Sequence, residues 1–329
     1  TLGDGKRPSA PSDDRTVGAD LLRYLIVGGC DGSKLHESGV DVIGAYVKEL
    51  LDLRMVKAVG TTKLESCHFN GPINAMQAKF QFLKLSGSSC FGIFAQGSKV
   101  SGPVFLDSEF EAYGRVSFAS SHIKGQFSCQ GSYFENTDQS DGSGRCLMLS
   151  GCDVEGHRIL SLASSESELS SFIGGVDLSL SQVSGNLICS GGQFNSNEST
   201  AGALNVQGAR IMGSVQIDQG FSSFGQVELS LCLIKGMLLV TGASLFNPQS
   251  EAFRAIGLRA KHLFWRNMKA IEGKILFASA QFDFLDDDVG SWSKASETVL
   301  EGMSYETLYG SCNPKEQLSW LERSHGADG

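Results

Sequence analysis

Ala209-Arg210-Ile211-Met212-Gly213-Ser214-Val215-Gln216-Ile217 begins with a small residue and then alternates, with a glycine at its centre. Period-two alternation puts Ile211, Val215 and Ile217 on one side of an extended chain and Arg210, Met212 and Gln216 on the other. The same frame starts at Ala45, Cys67, Ser98, Ser121, Cys152, Ser181, Cys232, Ala260 and Ala280, at intervals of 20 to 31 residues, so ten copies fill most of the 329-residue chain.

Aligned, the copies form columns. Two residues after the small one stand Val47, Phe69, Val100, Ile123, Val154, Val183, Ile211, Ile234, His262 and Phe282. Four residues after it stand Glu49, then Gly71, Gly102, Gly125, Gly156, Gly185, Gly213 and Gly236, then Phe264 and Phe284. Seven consecutive glycines in one column mark a tight turn or a close backbone approach. A second phase, at Gly114, Gly174, Gly225 and Gly273, begins seven residues before a small-residue slot and shows that one repeat holds more than one short strand.

Segments this short cannot bury an apolar face alone, whereas stacked copies share a continuous core. The expected fold is all-β: a right-handed parallel β-helix of about ten coils, roughly 45–50 Å long at about 4.8 Å per coil. A β-sandwich would leave the glycine column without a purpose. Polar insertions at 134–144 and 194–200 read as loops leaving one edge of the coil. Open coil ends need covering. The expected organisation is a flexible segment 1–19, a helical cap 20–40, the solenoid 41–288, and a C-terminal cap and tail 289–329 with a helix over 313–323.

Composition narrows the function. A net charge of −9 argues against affinity for phosphate backbones. No apolar run is long enough to span a bilayer. Nine cysteines without Cys-x-x-Cys or zinc spacing read as reduced, buried thiols of a cytoplasmic protein. No Gly-x-Gly-x-x-Gly, Walker A loop, Gly-x-Ser-x-Gly or His-Glu-x-x-His is present, so neither catalytic residues nor a bound cofactor or metal are expected. His68 and His122 fall in an outward column, and His262 in an inward one.

The small-x-apolar-x-Gly unit resembles the pentapeptide-repeat pattern, once per coil. Gly202-Ala203-Leu204-Asn205-Val206-Gln207-Gly208-Ala209-Arg210-Ile211, Ser190-Gly191-Gly192-Gln193-Phe194-Asn195, Leu263-Phe264-Trp265-Arg266 and Leu318-Ser319-Trp320-Leu321-Glu322-Arg323 resemble bacterial proteins labelled membrane-associated oxidoreductase, over residues 20 to 323. The resemblance implies a solenoid that sits at a membrane through regions outside this chain. The redox activity in the label has no residues here to carry it.

Specificity in a regular solenoid resides in insertions or ends. The regular columns break down at Phe264 and Phe284, and Asp286, Asp287 and Asp288 follow; with Trp292 and Tyr305 they form the candidate partner-binding surface. The expected function is a noncatalytic scaffold for a protein partner, without direct nucleic-acid binding. The alternatives are a nucleic-acid mimic acting on a topoisomerase-like partner and, third, a carbohydrate-active β-helix enzyme. The outward column Tyr46, His68, Lys99, His122, Asp153, Gln182, Arg210, Leu233, Lys261 and Gln281 is not the acidic ladder that mimicry needs.

Overall fold

Four short strands, each too brief to stand alone, close one turn of the chain. In the second turn they are His68–Phe69, Ile73–Asn74, Lys79–Phe80 and Phe82–Lys84, here termed faces 1 to 4. The computed structural model describes residues 1–30, 33–34, 37–136, 144–162, 169–196 and 202–309. They form a parallel β-solenoid of about 11 turns with two short helices. Each strand pairs in parallel with its equivalents one turn away. On face 3 the register runs Lys57, Lys79, Lys99, His122, Asp153, Gln182, Arg210, Leu233, Arg259, Gln281, Ser304. Near the C-terminus neighbouring faces merge into longer strands such as Leu233–Thr241 and Ser244–Arg254.

The repeat is thus real, but its sequence frames mix two faces. Ala45 and Cys67 precede face 1, whereas Ser98 and the later copies precede face 3, so the step from 67 to 98 spans one and a half turns. Gly71 accordingly lies at the opposite corner from the other six glycines of its column. A second shift occurs at a bulge between Ile234 and Met237: Ala260 pairs with Ile234, and Leu258, not Ala260, takes the small-residue slot. The ladders also continue past 288, through Glu297–Val299 and Ser304–Tyr309. The last turn therefore lies inside the span expected to be cap.

The corner between faces 3 and 4 explains the glycines. A Cβ on Gly213 would sit 2.1 Å from Asn186 Oδ1 and 2.7 Å from the Gly185 carbonyl oxygen, and one on Gly125 or Gly156 would meet preceding backbone at 2.5–2.7 Å. Only hydrogen fits between successive turns. The glycine amides donate up the stack, Gly213 to Gly185 at 3.0 Å and Gly236 to Gly213 at 2.9 Å. The corner between faces 2 and 3 uses a different device. Met55, Gln77, Gly97, Ser120, Gly151, Leu180, Gly208, Leu231, Gly257, Ser279 and Gly302 all take φ between 56° and 68°. Each is the third residue of a four-residue turn, as in Leu53 to Val56, where the Val56 N–H donates to Leu53.

Inside face 1, two neighbouring columns divide the volume. One reads Ser88, Phe110, Ser132, Ser170, Gly192, Phe221; the other, two residues on, reads Cys90, Ala112, Phe134, Phe172, Phe194, Ser223. A phenylalanine in one always faces a small residue in the other, which keeps the core filled without overpacking. The rings stack along the axis, Phe134 on Phe172 at 5.2 Å and Phe172 on Phe194 at 4.7 Å.

At the N-terminal end, α1 (Ala19–Ile26) covers the first turn with Ala19, Leu22 and Ile26 buried, close to the expected cap. Glu49, which replaces the column glycine, accepts a hydrogen bond from the Ala19 N–H, placing a carboxylate at the helix N-terminus. Segment 1–19 is not loose: Leu2 bonds to Ile43, Arg7 pairs with Glu111 at 2.6 Å, and Thr16–Val17 extends face 1. The insertions within 134–144 and 194–200 both leave the corner between faces 1 and 2, after Tyr133–Glu135 and Gln193–Asn195. Residues 137–143 and 197–200, and the helix expected over 313–323, lie outside the described residues.

Candidate interaction surface

The structure separates the five residues expected to form one contact. Asp288 caps the short helix α2 (Val289–Trp292), accepting from the Ser291 N–H at 2.7 Å and, across turns, from the Asn267 N–H at 2.7 Å. Asp287 is 2% exposed and accepts from Trp292 Nε1 at 2.7 Å. Burial raises its pKa, and the Trp292 bond only partly offsets this. Trp292, also 2% exposed, stacks on Trp265 at 5.0 Å. Asp286 pairs with Arg266 at 2.8 Å. Tyr305 alone stands in the open, 44% exposed.

Tyr305 lines a groove of about 420 Å³ across the last four turns of face 3. Two outward columns form it: Leu233, Arg259, Gln281, Ser304, and two residues further along each strand Lys235, Lys261, Asp283, Glu306. Among the described residues Lys235, Arg259, Lys261, Asp283 and Glu306 have no ion pair. The groove is therefore bipolar, cationic toward the middle of the solenoid and anionic toward its C-terminal end. Alternation marks these residues as outward, but the frame set at Ala260 hides that Arg259, not Lys261, stands beside Leu233. The missed signal is Gly257-Leu258, the left-handed corner followed by its slot, which repeats Gly208-Ala209.

At the other end of face 3, Lys57, Lys79 and Lys99 stand in consecutive turns. The row ends at His122, whose Nδ1 lies 3.0 Å from Asp153 and Nε2 3.3 Å from Glu155. His68, on face 1, is half-buried, stacks on Tyr46 and meets Ser89 Oγ at 2.8 Å. His262, expected inward, follows Met237 in register and stacks on Phe264 at 4.0 Å.

The seven cysteines whose side chains are described are buried and free. Burial pushes their thiols up, Cys90 and Cys146 to about 12. Cys152 and Cys232 occupy slots where Ser121 also sits, and all three donate to a carbonyl of the preceding turn. Arg158 is wholly buried, donates Nη1 to Ser181 Oγ at 3.0 Å and leaves Nε and Nη2 without partners. No described helix is long and apolar enough to cross a membrane. Neither family models, curated proteins nor solved structures match the chain.

Proposed function

We propose that the chain is a noncatalytic interaction scaffold whose face 3 receives a protein partner. The bipolar groove carries this reading: five charged side chains of both signs, none with an ion pair among the described residues, stand in two adjacent outward columns of face 3. A polypeptide that places carboxylates over Lys235, Arg259 and Lys261 and a cation over Asp283 and Glu306 would satisfy them. Such complementarity gives specificity more than raw affinity.

Buried thiols raised far above neutral pH offer no nucleophile, which supports the noncatalytic reading. The lysines at the N-terminal end of face 3 favour an acidic partner over mimicry of a nucleic acid. Membrane association belongs to the same proposal only through whatever the partner binds.

The test is a charge swap that preserves net charge, Lys261→Glu with Asp283→Lys. Both chains, verified to melt alike, are immobilised and the proteins each retains from a cell extract are compared. A defined set held by the parent and lost by the swapped chain is expected. Identical sets on both would place the contact elsewhere.

A further inference from the structure

We infer that the N-terminal half of face 3 is a docking site for an α-helix bearing a stripe of carboxylates, laid along the solenoid axis. This rests on the reading of the chain as an interaction module and names the partner chemistry at a second position. Lys57, Lys79 and Lys99 stand directly opposite one another on adjacent parallel strands, where like charges destabilise a sheet. All three are exposed, and none has an ion pair among the described residues. Carboxylates are not scarce in a chain of net charge −9. Of the other cations in these turns, Arg54 pairs with Asp52, Lys63 with Asp41 and Lys84 with Glu65, whereas Lys48 stands singly without an ion pair among the described residues. The uncompensated row is therefore specific to face 3.

Its surroundings suit an elongated ligand. Lys79 and Lys99 form one wall of a groove of about 420 Å³, with Met55, Gln77 and Gly97 along the other. Met55 is 77% exposed and offers an apolar contact beside the charges. The carboxylates Asp153 and Glu155, held by His122, close the row to anions on its C-terminal side.

Spacing selects the helix. Three lysines one turn apart span about 9.6 Å. Acidic residues at i, i+3 and i+7 of an α-helix lie on one face and span about 10.5 Å. Three same-face residues of an extended strand span about 13 Å, and two phosphate steps advance only about 7 Å along the axis of a duplex. Only the helix stays in step with the row.

The probe is a short alanine-based helical peptide with glutamates at i, i+3 and i+7, compared with an isomer carrying the same glutamates around the helix. Fluorescence anisotropy should show the striped peptide binding in a salt-sensitive manner. Lys79→Gln with Lys99→Gln should weaken it about tenfold, as two lost charge pairs imply, while Lys48→Gln with Lys269→Gln, at exposed lysines outside both grooves, should not. Equal binding of the isomer, or indifference to the Lys79 and Lys99 changes, overturns the proposal. So does tighter, lysine-dependent binding of single-stranded DNA or phosphatidylserine vesicles. If the striped peptide fails while the swap at Lys261 and Asp283 still strips captured proteins, the acidic helix is wrong and the scaffold reading stands.

Discussion

Trp292 donates its indole N–H to the carboxylate of Asp287 at 2.7 Å, and the two side chains are each 2% exposed. The pair closes the C-terminal core over Trp265, with the second Asp287 oxygen left without a partner.

Asp287→Asn should therefore stabilise the fold at neutral pH. Burial raises the Asp287 pKa above its ordinary 3.8. For an acid raised in this way, folding is least penalised below 3.8, and stability falls as pH rises through the folded value. Asparagine keeps an acceptor for Trp292 and removes the charge. Melting curves should show the variant ahead at pH 7 and level with the parent near pH 3. A variant no more stable at pH 7 would contradict the assignment.

Arg158→Met should also raise the melting temperature. The guanidinium is wholly buried with two unpartnered nitrogens, and burial lowers its pKa to about 10. An unpartnered buried group costs about 1–3 kcal/mol, and methionine fits the stem. A lower melting temperature would mean that the Ser181 bond outweighs the buried charge.

Gly213→Val should cost about 1–3 kcal/mol, since its side chain would overlap the Gly185 backbone, which cannot withdraw, and displace the Asn186 carboxamide. Gly18→Ala is the control, because nothing lies within 4 Å of its Cβ position and its φ is ordinary for any residue. Chemical denaturation should separate the two; similar losses would refute close approach as the reason for the ladder.

Leu231→Gly should gain about 0.5–1 kcal/mol. Leu231 is 66% exposed at φ 59°. Leaving a left-handed conformation recovers about 1–2 kcal/mol, against about 0.5–1 for the entropy of glycine. Equal or lower stability would show that its packing over Gly257 matters more than the strain.

Alternation and glycines made the solenoid legible because both follow from backbone geometry alone. The face assignment was not legible, since the slot before face 1 at Cys67 and the slot before face 3 at Ser98 have the same small-residue chemistry. The end of the solenoid was misplaced at Asp286-Asp287-Asp288, because the sequence frame set Asp286 and Asp288, rather than Asp287, in inward positions, where carboxylates read as a break. Asp287 in fact stays inward by bonding Trp292, five residues on, and the ladder continues to Tyr309. The groove escaped notice because its charges come from four turns, each unremarkable in sequence.

The central claim is that face 3 is the working surface. Its most direct measurement is covalent footprinting of a captured complex, modifying carboxylates and lysines with and without the partner. Protection of Asp283, Glu306, Lys235 and Lys261, with Asp52 on face 2 and Glu272 on face 1 still reactive, is the predicted result. Protection confined to Asp52 or Glu272, with the face 3 residues fully reactive, would contradict it.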